Sequence, residues 1–401
     1  MTTPRMLEGM RVVDLTTVVF GPYATQILAD LGAEVIKIEA PAGDQFRQAG
    51  APAHTPLMGP CHMTLNRGKA SVVFDLKLAA DCAAIRALLA TADVFIHNVR
   101  GKAIERLGFG YDAVKAIKPD IVYVHCVGFG SDGPYADLQA YDDVIQAATG
   151  TTSLASRVDG DPRPRYVPSL IADKVAGLHG AQGVLAALIH RLRTGDGQFV
   201  EVPMFEAFTH FAMIEHLFGH TFVPPTGDFG YPRQLDPDRQ PFPTADGHIS
   251  IVPYTPATVG TLFTILGAPE LAQDPRFATP ADRMRNIRQV YAEIARLTPA
   301  RTSAEWMELL AAAQIPAMPV RDLGDMLGDP HLNATGFFRQ REHPTEGSYL
   351  EMQPPIHYSA RHGVEPTMPR RVGEDTDRFR YPLRRFSVPR VISATVAKDL
   401  R

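Results

Sequence analysis

The sequence predicts an α/β protein built on a parallel sheet, and three observations support that fold class. In the first third of the chain, short runs of β-branched residues alternate with segments of helical periodicity. This alternation is typical of parallel strands joined by helical crossovers. The composition, 45% hydrophobic and 21% charged residues, is that of an ordinary globular protein. At about 100–200 residues per domain, 401 residues predict two or three domains or one large domain with an insertion.

The first third contains five predicted strands and three predicted helical stretches. The strands are MRVVDL, AEVIKIE, KASVVFDL, ADVFIH and IVYVHCVG. Helical periodicity covers GPYATQILADL, residues 79–90 and residues 103–117. Glu39 ends the second strand, where a dinucleotide-binding fold would place its ribose-binding acid. The first turn, residues 16–22, lacks G-x-G-x-x-G, so we disfavour nicotinamide or flavin binding.

A long apolar helix is predicted from about Asp173 to Leu192. Apolar residues recur at three- and four-residue spacing, which predicts that one face packs into the core. That face comprises Leu178, Ala181, Leu185, Leu188 and Leu192. Three glycines also recur along this helix, at Gly177, Gly180 and Gly183. Each costs about 1 kcal/mol relative to Ala, so we expect a close approach there, by a neighbouring helix or by a slender ligand arm.

The later chain predicts a smaller domain inserted into a larger one. A strand, QFVEVP, and a helix follow the long helix, and residues 224–239 have the composition of a linker or a mobile active-site loop. A hairpin is expected around Asp246-Gly247, and the chain is mainly helical from there to Asp325. We therefore predict a large Rossmann-like domain starting with residues 1–223, a linker and small α+β domain at 224–325, and a return to the large domain at 326–401.

Composition and charge exclude several classes of protein. The net charge of −4 argues against a strongly electrostatic binder of nucleic acid or membrane surfaces. The longest uncharged run, VAGLHGAQGVLAALIH, is shorter than the roughly 20 residues that a bilayer requires. Cys61, Cys82 and Cys126 form neither a disulfide framework nor a zinc pattern, so we expect no metal and a cytoplasmic location.

Asp173 is the most informative single residue. It is expected just before the long helix, where an Asp side chain commonly caps backbone N–H groups. The same position also suits a carboxylate nucleophile, because the helix dipole favours the ionised form and nearby N–H groups could stabilise an oxyanion. Helix position alone leaves both interpretations open.

Basic and amide residues cluster around two predicted strands. Asn66, Arg67 and Lys69 precede one strand, and a second group follows another: Asn98, Arg100, Lys102 and Arg106. Ligands of open parallel sheets bind beyond the carboxyl ends of the strands, so the second group is suitably placed for a phosphate-bearing ligand. A solvated charged loop is the alternative. Metalloprotease, G-x-S-x-G and Walker A patterns are absent from the sequence, which argues against hydrolases and NTPases.

These residues carry a resemblance that extends over nearly the whole chain. The segments that carry it are GMRVVDLTTVVFGPYATQILADLGAEVIKIEAPAGD, NRGKASVVFDLK, ADVFIHNVRGKAIERLGFGYDAVKAIKPDIVYVHCVGFGSDGPY, YDDVIQAATG, IADKVAGLHGAQGVLAALIHRLRTGDGQFVEVPMFEA, DPRFAT and GEDT. Together they resemble the class III coenzyme A transferases, the family of formyl-CoA and crotonobetainyl-CoA transferases (CaiB/BaiF).

The resemblance implies specific site residues and a specific architecture. Asp173 corresponds to the family's catalytic aspartate. The implied coenzyme A contacts are Asn66, Arg67, Gly68, Lys69, Asn98, Val99, Arg100 and Arg106. A CoA thioester and a small carboxylic acid are implied as substrates, with no permanently bound cofactor. The family also implies an interlocked homodimer, whose large domain is built from both termini.

The resemblance further implies acyl-CoA:carboxylate transfer through an aspartyl anhydride and an aspartyl-CoA thioester, with residues 227–240 as a candidate lid. Two departures from formyl-CoA transferases, Val19 in place of Gln and no glycine-run loop, indicate a less polar acyl pocket. Two alternatives remain. α-Methylacyl-CoA racemases carry a His in a G-H-D segment, where this chain has Ala140-Tyr141-Asp142, and tyrosine is a poor base near neutrality. The second alternative is a non-catalytic acyl-CoA-binding subunit.

Overall fold

The structure, a computed structural model, describes residues 5–253, 255–359 and 366–380. These residues form two compact units. The first unit comprises the described residues up to Ala136, Ala176–Pro203 and the described residues from Gln340 onward, and the second comprises Asp137–Val175 and Met204–Arg339. The domain bounds 1–223, 224–325 and 326–401 stay a prediction, and residues 360–365 and 381–401 of the last segment lie outside the described chain.

The strands of the described residues are short, as expected for an α/β protein. They are β1 Arg11–Leu15, β2 Glu34–Glu39, β3 Lys69–Val73, β4 Val94–His97, β5 Val122–Val127, β6 Gln198–Pro203, β7 Phe242–Pro243, β8 His248–Ile251, β9 Ala317–Pro319, β10 Phe338–His343 and β11 Gly347–Met352.

The α-helices vary from one turn to more than six. They are α1 Phe20–Asp30, α2 Pro60–Leu65, α3 Ala79–Leu89, α4 Gly101–Arg106, α5 Tyr111–Ile117, α6 Asp142–Ala148, α7 Leu154–Asp159, α8 Ile171–Thr194, α9 Met204–His216, α10 Pro256–Ile265, α11 Pro280–Arg285, α12 Ile287–Leu297, α13 Ser303–Ala312, α14 Pro330–Ala334 and α15 Thr376–Arg380. The stretch predicted as one helix over residues 103–117 is two helices, because Gly108 adopts φ +77° after α4.

A six-stranded parallel sheet forms the centre of the first unit and confirms the predicted α/β class. Its strand order is β3-β2-β1-β4-β5-β6. The order reverses between β1 and β4, and ligands of doubly wound sheets bind at such a switch point, beyond the carboxyl ends of the strands. Leu15, His97, His125 and Glu201 are aligned in one row across β1, β4, β5 and β6 near that edge.

Each unit has its own apolar core. In the first unit, Val13, Ile36, Phe95 and further residues of the sheet pack with α3 and α5. In the second unit, β7, β8 and β9 form an antiparallel sheet, and the first two strands confirm the predicted hairpin. Trp306 is 1% exposed in that second core, and its indole N–H donates to the carbonyl of Thr298 at 2.7 Å.

Helix α8 packs against α1 through small residues. A Cβ added to Gly177 would lie 2.9 Å from the carbonyl oxygen of Phe20, and one added to Gly180 would lie 3.2 Å from the Cβ of Ala24. The close approach predicted from the glycines is therefore made by a neighbouring helix, α1. The predicted apolar face is wrong at two positions, since Leu178 and Leu192 are exposed.

Within the described residues, every helix is too short or too polar to pass through a lipid bilayer.

Candidate active site

Asp173 lies inside the first turn of α8. The helix begins at Ile171, so Asp173 is its third residue, and only 6% of its surface is exposed. The expectation that Asp173 stands before the helix as an N-cap is therefore wrong. The residue before the helix is Leu170, whose side chain has no hydrogen-bond acceptor. Asp173 still lies near the positive end of the helix dipole, which favours an ionised carboxylate.

A second buried carboxylate meets the start of α8. Asp142 is the first residue of α6 and is 3% exposed, and its Oδ1 accepts the backbone N–H of Asp173 at 3.0 Å. Its Oδ2 accepts a hydrogen bond from Nε2 of Gln146 at 2.6 Å. Asp142 thus accepts an N–H of the first turn of α8, a role that the side chain of the N-cap residue normally fills.

Most backbone amides in this turn are already engaged. Asp173 donates to Asp142, and Lys174 donates to the carbonyl of Leu170 at 3.2 Å. Ala172 is fully buried, and its N–H has no hydrogen-bond partner in the part of the chain that the structure describes. Of these three amides, only that of Ala172 is free to donate a hydrogen bond to a negatively charged oxygen.

Asn98 joins the two loops at the switch point of the sheet. Its Oδ1 accepts the N–H of Thr17 at 3.1 Å, and its Nδ2 donates to the carbonyl of Thr17 at 3.0 Å. Thr17 follows β1 and Asn98 follows β4, so this pair of bonds fixes the crevice in which ligands of such sheets bind. Asn98 lies at the carboxyl end of β4, and its contact with coenzyme A stays a prediction.

The loop after β1 holds an uncommon backbone conformation. Val18 adopts φ +71°, in the left-handed region that β-branched residues rarely occupy. Its N–H donates to both carboxylate oxygens of Asp44, at 3.1 and 3.3 Å. The next residue, Val19, is 4% exposed. The less polar acyl pocket expected from Val19 stays a prediction.

Further predicted residues follow β4 at the same edge of the sheet. The carbonyl of Val99 accepts a hydrogen bond from Nε2 of His125 at 2.9 Å. Arg100 is exposed immediately before α4. Arg106 is also exposed at the end of α4, and its Nε donates to the carbonyl of Lys102 at 3.1 Å. These two guanidinium groups are accessible on the first unit.

Lys69 is buried, although it is a predicted coenzyme A contact. It is 2% exposed, and its Nζ donates to the carbonyl of Pro22 at 2.7 Å and to Oδ1 of Asn66 at 2.8 Å. Burial lowers the pKa of Lys69 to about 7, because desolvation outweighs the attraction of Asp14. In this conformation the ammonium group bonds within the protein.

Arg67 and Gly68 lie before β3, at the amino edge of the sheet. Arg67 forms a bidentate pair with Asp30, the last residue of α1, at 2.6 and 3.1 Å. Gly68 adopts φ +76°, and its N–H donates to the carbonyl of Thr367 at 2.7 Å. The structure thus brings Asn98, Val99 and Arg100 together at the carboxyl edge but leaves Arg67 at the opposite edge.

A buried ionic network lies at the carboxyl end of β2. Lys37 pairs with Asp44 at 2.9 Å and Glu39 pairs with Arg47 at 2.6 Å, and all four side chains are at most 2% exposed. Burial alone would raise the pKa of Glu39, but the hydrogen bond from Arg47 and the charges of Lys37 and Arg47 outweigh it and hold that pKa at about 2. Glu39 is therefore engaged inside the first unit.

A stacked histidine pair was not anticipated from the sequence. The rings of His97 and His125 lie 4.4 Å apart, and Nε2 of His97 is 2.8 Å from the hydroxyl of Tyr123, which donates to the carbonyl of Phe109. Burial lowers the pKa of both histidines, so they are neutral near pH 7. Only the pairing of β4 with β5 brings the two residues together.

The second unit contains a small cavity and part of the predicted lid. The cavity measures about 150 Å³, and Arg157, His216, Phe229 and Gly230 are among its lining residues. The N–H of Gly230 donates to the carbonyl of His216 at 2.8 Å, so this part of the loop is held at the end of α9. A lid role for residues 227–240 stays a prediction.

Asp173 belongs to the second unit, and the predicted coenzyme A contacts belong to the first. Asp142, Gln146 and the histidine pair are the main features that sequence reasoning missed. The sequence offered one indication that Asp142 and Gln146 act together: they are four residues apart, which places both on one face of a helix.

Known proteins resemble this chain over most of its length. Succinate–glutarate CoA-transferase of Agrobacterium fabrum is 31% identical over 339 residues, which cover 82% of this chain and 84% of that protein. Formyl-CoA:oxalate CoA-transferase of Streptomyces avermitilis is 33% identical over 372 residues, which cover 88% and 90%. The crystal structure of Rv3272 from Mycobacterium tuberculosis matches with a TM-score of 0.81 at 30% identity, covering 94% of this chain and all of that one.

The sequence model described as "CoA-transferase family III" matches residues 7–376. This match confirms the resemblance inferred from the motifs. The protein is an enzyme, a CoA-transferase acting on acyl-CoA and carboxylates, and such enzymes use CoA thioesters as substrates. The chain therefore belongs to CoA-transferase family III.

Proposed function

We propose that the protein transfers coenzyme A between carboxylic acids with Asp173 as its nucleophile. The carboxylate attacks the thioester carbonyl of a donor acyl-CoA, forming a mixed anhydride and releasing the CoA thiolate. The thiolate then attacks the aspartyl carbonyl, which expels the donor acid and leaves an aspartyl-CoA thioester. An acceptor carboxylate reverses these two steps. Each step exchanges one activated acyl bond for another, so the free energy of the thioester is retained.

The observation that carries this proposal is the place of Asp173, buried in the first turn of α8 with its backbone N–H bonded to Asp142. The helix dipole favours a carboxylate there over a neutral acid. The free N–H of Ala172 is our candidate donor to the tetrahedral oxyanion, since the amides of Asp173 and Lys174 are engaged. One such donor is worth about 3 kcal/mol in well-studied enzymes.

We propose that coenzyme A binds at the carboxyl edge of the sheet in the first unit. Arg100 and Arg106 are exposed guanidinium groups suited to phosphates, and Asn98 and Val99 shape the crevice between β1 and β4. Residues 66–69 lie at the opposite edge of the sheet, and Arg67 and Lys69 have internal partners, so we do not include their side chains in this site.

We also propose the interlocked homodimer that the family resemblance implies. The support is a set of apolar side chains that a single chain leaves exposed on α8 and α9: Leu178, Ile189, Leu192, Phe211 and Ile214. The first unit contains residues from both ends of the described chain, as a large domain built from both termini requires. Light scattering after size exclusion would test this, and a monomeric mass at micromolar concentration would contradict it.

Small carboxylic acids are the proposed donors and acceptors. The two similar transferases are named for succinate, glutarate, formate and oxalate, which makes short mono- and dicarboxylates the first compounds to test. Water must be kept from the anhydride during transfer, and residues 227–240 are our candidate for the segment that excludes it.

Covalent trapping tests the proposal directly. Wild-type protein incubated with succinyl-CoA, formyl-CoA or acetyl-CoA should gain a hydroxylamine-sensitive adduct on Asp173 by mass spectrometry. Asp173→Asn should form no adduct and lose turnover while keeping CoA affinity, because the side chain retains its shape. Asp143→Asn is the matched control, since Asp143 is an exposed carboxylate of α6. Full turnover of Asp173→Asn, or deuterium entering the substrate α-carbon without any adduct, would overturn the assignment.

A further inference from the structure

We infer that Asp142 is a positioning residue for the nucleophile, holding the first turn of α8 from a different helix. The inference rests on the proposed role of Asp173. Asp142 and Asp173 are 31 residues apart in the chain and are joined by one hydrogen bond of 3.0 Å between the Oδ1 of Asp142 and the backbone N–H of Asp173. That bond fixes the backbone nitrogen bonded to the Cα that carries the reacting side chain.

Gln146 extends this contact to the loop that leads into α8. Its Oε1 accepts the N–H of Val167 at 2.9 Å. Its Nε2 lies 3.3 Å from the carbonyl of Val167 and 3.2 Å from that of Ser169. Gln146 is fully buried, so its amide is confined to these partners and to Asp142. Residues 167–173 are therefore tied to α6 at four backbone groups, which we call the α6 clamp.

The clamp replaces a missing local cap. Helices usually begin after Ser, Thr, Asp or Asn, whose side chains accept the free N–H groups of the first turn. The residue before α8 is Leu170, which cannot do so. Without Asp142 the buried N–H of Asp173 would lose this acceptor, and the first turn would fray. The nucleophile would then move with the frayed turn.

The identity of the clamping residue is unexpected on energetic grounds. Asp142 is 3% exposed, and no cationic side chain in the described parts of the chain pairs with it. A buried carboxylate without a cation is unfavourable. Its two hydrogen bonds and its place at the starts of both α6 and α8 partly offset this. A neutral side chain could serve helix stability alone. The stronger bond that the carboxylate of Asp142 makes to the N–H of Asp173 therefore points to accurate placement of the nucleophile.

Three variants separate positioning from general destabilisation. Asp142→Ala removes the acceptor, and Asp142→Asn keeps an oxygen that can accept the N–H of Asp173. Asp143→Asn alters the exposed neighbouring carboxylate and is the control. Rapid-quench mass spectrometry measures the rate of adduct formation on Asp173 from succinyl-CoA or whichever of the three thioesters labels the wild type. A titration measures CoA affinity, and hydrogen exchange of the peptide spanning residues 170–175 reports the first turn.

For Asp142→Ala we expect adduct formation to slow about 100-fold, the effect of misplacing a reacting group by about 1 Å. CoA affinity and KM for the thioester should change less than about threefold. Asp142→Asn should recover at least about tenfold of the lost rate, and Asp143→Asn should match wild type. Exchange in residues 170–175 should be faster in Asp142→Ala than in Asp143→Asn.

An unchanged adduct rate or unchanged exchange in folded Asp142→Ala would overturn the inference. Equal loss in the Ala and Asn variants would overturn it as well, because the hydrogen bond would then not be the cause. If Asp142→Ala does not fold, Gln146→Met removes the remaining three ties of the clamp at similar volume, and wild-type exchange at Val167, whose N–H loses its acceptor in that variant, would count against the clamp. Absence of any adduct on wild type contradicts the proposed function instead, and the exchange experiment still tests the clamp.

Discussion

Replacing Glu39 with Gln should destabilise the first unit strongly and in a pH-dependent manner. Glu39 and Arg47 are at most 1% exposed and form two hydrogen bonds, at 2.6 and 2.7 Å. The substitution keeps the size of the side chain but leaves the guanidinium of Arg47 buried without a counter-charge. Breaking one side of a buried pair typically costs about 3–5 kcal/mol.

The pKa of Glu39 gives an independent magnitude. It is held at about 2, compared with an ordinary value of 4.5. That difference corresponds to about 3 kcal/mol of folding free energy. Because the folded-state pKa is the lower one, this contribution is complete above pH 4.5 and is lost as the pH falls toward 2. The difference in stability between wild type and Glu39→Gln should therefore shrink between pH 7 and pH 3.

Urea unfolding followed by fluorescence at pH 7 and pH 3 measures that difference. Glu34→Gln is the matched control, because Glu34 lies on the same strand and its pair with Arg11 is about one-third exposed. Exposed pairs contribute less than about 1 kcal/mol. A loss in Glu39→Gln as small as that of the control, or one that is the same at both pH values, would refute the reasoning.

Three further substitutions test the packing and the coenzyme A site. Gly177→Ala should lower the free energy of unfolding by about 1–2 kcal/mol, because its Cβ would lie 2.9 Å from a backbone oxygen. Gly183→Ala should be neutral, because its Cβ would lie 3.3 Å from a side-chain methyl. Thermal melting compares the two variants, and equal midpoints would contradict the packing. Arg106→Gln should weaken CoA binding and reduce the salt dependence of that binding, measured by calorimetry. Lys69→Met should alter the melting temperature and leave the salt dependence of CoA binding unchanged. The reverse pattern would show that Lys69 reaches the phosphates. Asn98→Ala removes two hydrogen bonds at the switch point and should weaken CoA binding about tenfold, an effect that a wild-type dissociation constant would disprove.

The sheet was predictable because buried parallel strands are nearly continuous β-branched runs. All six of its strands were anticipated, including QFVEVP after the long helix. The split between α4 and α5 was missed, since a single glycine such as Gly108 is compatible with a helix until its φ is known. Strand β9, Ala317–Pro319, is too short to produce a periodic signal. Local pattern therefore predicted the long, buried elements and failed at short or interrupted ones.

The site was predictable only at residues with a motif. Asp173 was singled out through its segment, and its catalytic role stays a proposal. Its exact place in the helix was not predicted, because Leu170 offers no cap for α8 to begin at. The bond between Asp142 and Asp173 depends on tertiary packing, which one-dimensional spacing does not encode. The same applies to Arg67 and Lys69, whose cationic groups suggested an exposed site but are used internally.

Val18 places a constraint on how the loop after β1 can vary. A valine at φ +71° carries a conformational penalty of about 1–3 kcal/mol that glycine would avoid. The loop tolerates it because Asp44 accepts the valine N–H, and Asp44 is itself paired with Lys37. A glycine at this position should thus raise the melting temperature while giving the chain after β1 more freedom to move. Randomising position 18 and selecting separately for thermal tolerance and for turnover should enrich different residues.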